Sequence, residues 1–131
     1  MMSRINLFSV KKEQNTKKAD ISKLVNECLG DKEYLNEIVV LLNDNIEEFY
    51  DTTEVCIKAK DRFSISRGAH KIKNGLEMVQ AHVLLHYVDL IQKECQHLDT
   101  FWKIQDILKK FKIEYKLVQD SLLDQINELD D

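Results

Sequence analysis

The 131-residue sequence contains no proline and only three glycines. Proline breaks helices and glycine supplies the left-handed backbone of loops and hairpins, so a chain this poor in both is built from helices joined by short connections. Cys28, Cys56 and Cys95 form no CxxC pair and fall one to each helical segment. They are read as reduced, structural thiols. No apolar run approaches the roughly 18 residues of a membrane span, and the opening Met1-Met2-Ser3-Arg4-Ile5-Asn6 lacks a secretory hydrophobic stretch. The expectation is a cytoplasmic protein without a membrane partner. Strand-like alternation and a glycine-rich phosphate loop are also missing, so the chain has no visible ATP site of its own.

What is present is 44% hydrophobic and 32% charged, enough for one domain around a single core. The formal charge is -4, with both signs interspersed. That balance argues against a nucleic-acid footprint and favours a protein partner. Lys11, Lys12, Lys17 and Lys18, interrupted by Glu13, are read as a solvated tail.

Residues 1–19 show no clear period and are expected to be a partly ordered lead-in, with Ile5, Leu7, Phe8 and Val10 available for packing. The domain proper is expected over 20–131. Asp20 is placed as the cap of a short helix carrying Ile21, Leu24, Val25 and Cys28, stopped by Gly30. Asp31 caps a long helix whose stripe of Leu35, Val39, Leu42, Ile46, Phe49, Thr53 and Cys56 runs to about Ala59. Asp61 caps the next, which reaches about Val79. A turn near Gln80 is inferred only from a change in stripe phase. Leu84, Val88, Ile91, Cys95 and Leu98 then mark a helix ending around His97. Asp99 or Thr100 starts the last one, striped by Ile104, Leu108, Phe111, Tyr115, Val118, Leu122 and Leu129. Four long helices with narrow stripes suggest an all-α, antiparallel up-down-up-down four-helix bundle, with the short additional N-terminal helix across one end.

The stretch Gly68-Ala69-His70-Lys71-Ile72-Lys73-Asn74-Gly75-Leu76-Glu77-Met78 carries the functional signal. Ile65, Ala69, Ile72, Leu76 and Val79 recur at four and three and define the buried stripe. His70 is one residue off Ala69, roughly 100° round the helix, and so is turned towards water. Lys73, Asn74 and Glu77 share its side. Gly68 and Gly75 each cost about 1 kcal/mol relative to alanine in a helix interior. Two accounts stand for them: close approach of a neighbouring helix, or room for a docking partner.

The segment Ala69-His70-Lys71-Ile72-Lys73-Asn74-Gly75 resembles the Ala-His-x-Leu-Lys-Gly signature of histidine-containing phosphotransfer (HPt) domains, the carriers of multistep phosphorelays. His70 stands where the family has its phosphorylated histidine, Ile72 where it has leucine and Lys73 where it has lysine. Gly30-Asp31 before a long helix, Lys60-Asp61 before the histidine helix, and Ala81 with Leu84 after it also look like the family's layout. The resemblance covers roughly 20–129. Asn74 replaces the glycine that follows the lysine, and Gln80 replaces one usually found ten residues after the histidine. Asn74 either crowds an incoming domain or donates a hydrogen bond to a phosphoryl oxygen.

The resemblance implies that His70 accepts a phosphoryl group from a receiver-domain aspartate and passes it to another receiver. Lys73 would steady the phosphoryl oxygens, and Ser66, Arg67, Lys71, Asn74 and Glu77 would form the docking surface. The expected partners are response-regulator receiver domains or a hybrid sensor histidine kinase. No cofactor or metal is expected on this chain, Mg2+ being supplied by the receiver. The initiating Met and the uninterrupted domain lean towards a free-standing carrier. The chemistry is consistent on its own terms. An imidazole of ordinary pKa, about 6.5, is mostly neutral in the cytosol and offers a nucleophilic nitrogen. Phosphoryl transfer needs positioning and charge stabilisation, which an ammonium one turn away can provide.

Two other readings remain: a phosphate-free interaction module of the same shape, and a metal- or cofactor-binding bundle. For the latter, His82 and His86 at i,i+4 with Asp89 close by are the candidates, although a solvated face suits them better. His97 is read as a helix-end dipole partner, and Tyr87, Phe101 and Trp102 as core edge.

Overall fold

The computed structural model describes residues 17–129 as an all-α fold. Its helices are α1 (Ser22–Glu27), α2 (Lys32–Ala59), α3 (Arg62–Met78), α4 (His82–Glu94) and α5 (Phe101–Asn127). Among the described residues there is no strand, and no helix is long and apolar enough to cross a membrane. The lead-in expected for 1–19 lies outside the described residues as far as position 16, as do positions 130 and 131.

Two of the helix starts, those of α2 and α3, follow from carboxylates. Asp31 accepts a hydrogen bond from the Tyr34 backbone N–H at 3.2 Å, and Asp61 accepts one from the Ser64 N–H at 3.1 Å. Each satisfies an amide that the first turn leaves without a helical partner. Asp20 acts slightly upstream of the helix: its carboxylate accepts from the N–H and hydroxyl of Ser22, while Ile21 occupies the cap position.

Three helix ends share one device, a residue in the left-handed region closed by a six-residue hydrogen bond. It is Leu29 after α1 (φ 57°, followed by Gly30 at φ 74°), Lys60 after α2 (φ 56°) and Gln80 after α3 (φ 52°). The closing bonds run from Gly30 N to Val25 O, Asp61 N to Cys56 O and Ala81 N to Leu76 O, at 2.9, 2.8 and 3.0 Å. The α3–α4 turn thus uses a backbone that glycine adopts most readily, without a glycine, which is why no local residue signalled it.

Several expectations are corrected. Helix α4 ends at Glu94, short of His97, and Leu98 is 69% exposed instead of continuing the stripe. Thr100 occupies the N-cap position of α5 as expected, but its hydroxyl donates to the Glu94 carbonyl at 3.2 Å at the end of α4 and makes no cap bond to α5. Trp102 is not core edge; it is 63% exposed, with the Lys103 ammonium 5.5 Å from its ring centre.

Helix α2 packs on α3, α3 on α4, α4 on α5, and α5 returns to α2. Most stripe residues are buried, joined by Ala19, Tyr50, Ile57, Ala81, Glu114 and Ile126, while Val25, Cys28 and Leu129 are partly buried at the edge. Phe111 is fully buried, its ring centre 5.7 Å from Phe49 and 6.0 Å from Tyr50.

Ahead of α1, residues 17–21 form a strap. Ala19 and Ile21 are buried, Asp20 N–H donates to the Val79 carbonyl at 2.8 Å, and Lys18 pairs with the buried Glu114 at 3.4 Å. The side-chain amide of Gln125 donates to the Ala19 carbonyl at 2.8 Å and accepts from the Ile21 N–H at 3.1 Å. This fixes α1 beside the turn between α3 and α4.

Candidate functional site

Helix α3 buries Ile65, Ala69, Ile72 and Leu76 and leaves His70 exposed, as the stripe requires. His70 opens on a groove between α2 and α3. Phe49, Cys56, Gly68 and Ile72 form its apolar floor, and Glu48, Thr52, Arg67 and Lys71 stand along it. The two walls carry opposite charge. Between Glu33 and Glu54, α2 has seven acidic residues and no basic one, whereas α3 has four basic residues against the single Glu77. Across the groove, the Lys71 ammonium lies 3.1 Å from a Glu48 carboxylate oxygen, both side chains well exposed.

The residues singled out in the sequence divide among three places. Arg67 and Lys71 line the groove with His70. Asn74 and Glu77 are exposed and line a second pocket with Lys23 and Glu27 of α1, Met78, and His82 of α4. Ser66 sits on the α4 side, where its carbonyl accepts from the Gln92 amide at 3.3 Å. Lys73 is half-buried and, among the described residues, forms no ion pair with Glu77. From helical geometry it stands about 60° from His70, on the side away from Lys71.

The two glycines differ. A Cβ at Gly75 would come within 3.0 Å of Leu42 Cδ1, so close approach of α2 accounts for that glycine. At Gly68 the nearest atom, Phe49 Cδ1, is 3.7 Å away, an ordinary contact. Gly68 instead forms part of the groove floor beside His70.

His82 and His86 are both exposed, and Asp89 is engaged with Lys93 at 3.2 Å. Among the described residues no three His, Cys, Asp or Glu side chains gather as a metal site. All three cysteines are free thiols, and burial pushes the Cys95 thiol up to about 11.

Sequence reasoning missed Phe63, Glu48 and the α1 pair Lys23 and Glu27. Phe63 is 73% exposed two turns before His70 on the same face, with the Arg67 guanidinium carbon 5.2 Å from its ring centre. The seven-residue spacing was available as a signal; an apolar side chain in the first turn simply reads as core. Glu48 and the α1 pair come from elsewhere in the chain and carried no local signal.

No protein-family model, curated protein or solved structure matches the chain.

Proposed function

We propose that this chain is a histidine phosphotransfer protein of a multistep phosphorelay, folded as an antiparallel up-down-up-down four-helix bundle with α1 across one end. His70 is the phosphoryl acceptor. The observation that carries this reading is an exposed imidazole midway along a basic helix, beside an open groove with an apolar floor.

In the forward step a ring nitrogen of His70 bonds phosphorus as the P–O bond to a receiver's aspartate breaks. The electron pair leaves on that carboxylate, and the other ring nitrogen keeps its proton. The reverse step hands the phosphoryl group to a second receiver. Lys73 approaches from one side of the ring as a point charge for the phosphoryl oxygens. The receiver docks on the groove lined by Arg67 and Lys71, with Ser66 on the α4 side and Asn74 and Glu77 beyond His70 extending the contact, and Phe63 as an exposed aromatic anchor. Mg2+ and the acidic cluster that binds it belong to the receiver. The excess of positive charge on α3, in a chain of net charge -4, suits such an acidic partner.

Gln80, one departure from the family pattern, occupies a left-handed helix end. It holds the backbone that glycine would adopt and lies outside the His70 groove, in the pocket it shares with Asn74 and Glu77. Asn74 is different, being exposed one turn beyond His70. It favours the second reading, a phosphate-free module that binds receiver or kinase domains.

The deciding experiment is incubation with a phosphorylated receiver, comparing wild type with His70→Gln. Acid-labile label on the wild type and none on the variant supports transfer. Stable binding without label establishes the second reading. Label on another residue rejects His70.

A further inference from the structure

We propose that Lys71 is a transferable cation, held by Glu48 when His70 is bare and released to the phosphoryl oxygens when His70 is phosphorylated. The inference rests on the phosphotransfer reading and adds to it a second phosphoryl ligand and a positioning residue on α2.

Three observations carry it. His70, Lys71 and Glu48 all line the same groove, so a phosphoryl group on the ring enters the space where the ion pair already sits. The pair is weakly held: at 3.1 Å, with side chains 66% and 63% exposed, it is the kind of contact solvent screens heavily. The charge arriving is larger than the charge left behind, because a phosphoryl group carries about -1.5 to -2 near neutral pH against -1 for a carboxylate.

Neighbours at i and i+1 do not face each other along a helix, so Lys71 cannot reach His70 over the helix surface. It reaches it across the groove, on a four-carbon stem that swings away from Glu48. Glu48 competes for this ammonium and, once vacated, repels the phosphoryl dianion. It therefore keeps the phosphorylated form from becoming too stable to pass its cargo on. Lys73, on the other side of the ring, has no such competitor in the groove.

The test uses phosphoramidate as donor, which requires no receiver: the imidazole nitrogen bonds phosphorus, the donor's P–N bond breaks and ammonia leaves. Phosphorus NMR then follows the phosphoryl ionisation with pH in wild type, Glu48→Gln, Lys71→Gln and Lys71→Arg. A nearby cation favours the dianion. Glu48→Gln should lower the phosphoryl pKa and Lys71→Gln should raise it, each by about half a pH unit, the scale of an exposed charge pair. Lys71→Arg should keep the wild-type value, and about 1 M salt should erase the differences. Both sites are exposed, so unchanged helix content and melting temperature are expected in all the variants. Label on His70 with one titration curve for all four proteins overturns the inference and leaves the phosphotransfer reading intact. Equal labelling of His70→Gln and wild type overturns both.

Discussion

Gly75 of α3 and Leu42 of α2 meet so closely that a Cβ on the glycine would lie 3.0 Å from the leucine's Cδ1. Seven residues earlier, Gly68 has 3.7 Å of room against Phe49. Both lie inside a helix, where alanine is favoured by about 1 kcal/mol. Gly68→Ala is therefore expected to stabilise the protein by close to that amount. Gly75→Ala should gain distinctly less, because Leu42 is buried and has to shift. Urea unfolding of the two variants beside wild type measures the difference.

The backbone at Gln80 leads to a second expectation. A left-handed conformation costs a side-chain-bearing residue roughly 1 kcal/mol that glycine does not incur. Gln80→Gly should raise stability by up to about 0.5 kcal/mol after the added freedom of the unfolded chain is subtracted. Gln80→Val should lower it, since a β-branched residue fits this region worst. Midpoints in chemical denaturation give both signs.

Gln125 holds the strap at two backbone groups, Ala19 O and Ile21 N. Gln125→Ala leaves both without that partner next to buried side chains, at a cost of about 1–3 kcal/mol. The loss should be uneven. Amide exchange should quicken in residues 19–28 well before it quickens in α2 or α5, and equal acceleration everywhere would contradict the strap's role.

Acid should loosen the start of α3. The Asp61 carboxyl is held below its ordinary value by the Ser64 hydroxyl and then by the Ser64 backbone N–H. A carboxyl whose pKa falls on folding stabilises the fold fully above its unfolded value, 3.8, and loses that contribution as pH drops through the lowered folded value. Asp61→Asn and Ser64→Ala should each weaken the stability difference between pH 7 and pH 3. A melting series over that range checks it.

The element order was legible because each helix carries a one-sided stripe and two of the long ones begin at an aspartate with a matching amide. Ile65, Ala69, Ile72 and Leu76 placed His70 in solvent by periodicity alone, and the structure puts it there. Less legible were features made by distant residues. Thr100 shortens α4 by bonding to Glu94, and Glu48 reaches the His70 groove from 22 positions upstream, 23 from Lys71 with which it pairs. Periodicity says which way a side chain leaves its own helix. It does not say which neighbouring helix stands there, and the docking residues Lys71, Asn74 and Ser66 that the family resemblance implied line three different grooves.

The bond between the Gln125 side chain and the Ala19 carbonyl joins positions 106 residues apart. During synthesis, Ala19, Ile21 and Leu24 emerge well ahead of α5, yet their binding site is complete only when its last turns have followed. The first apolar residues of the described chain wait uncovered until α5 has emerged, so seating them follows the making of the other helices.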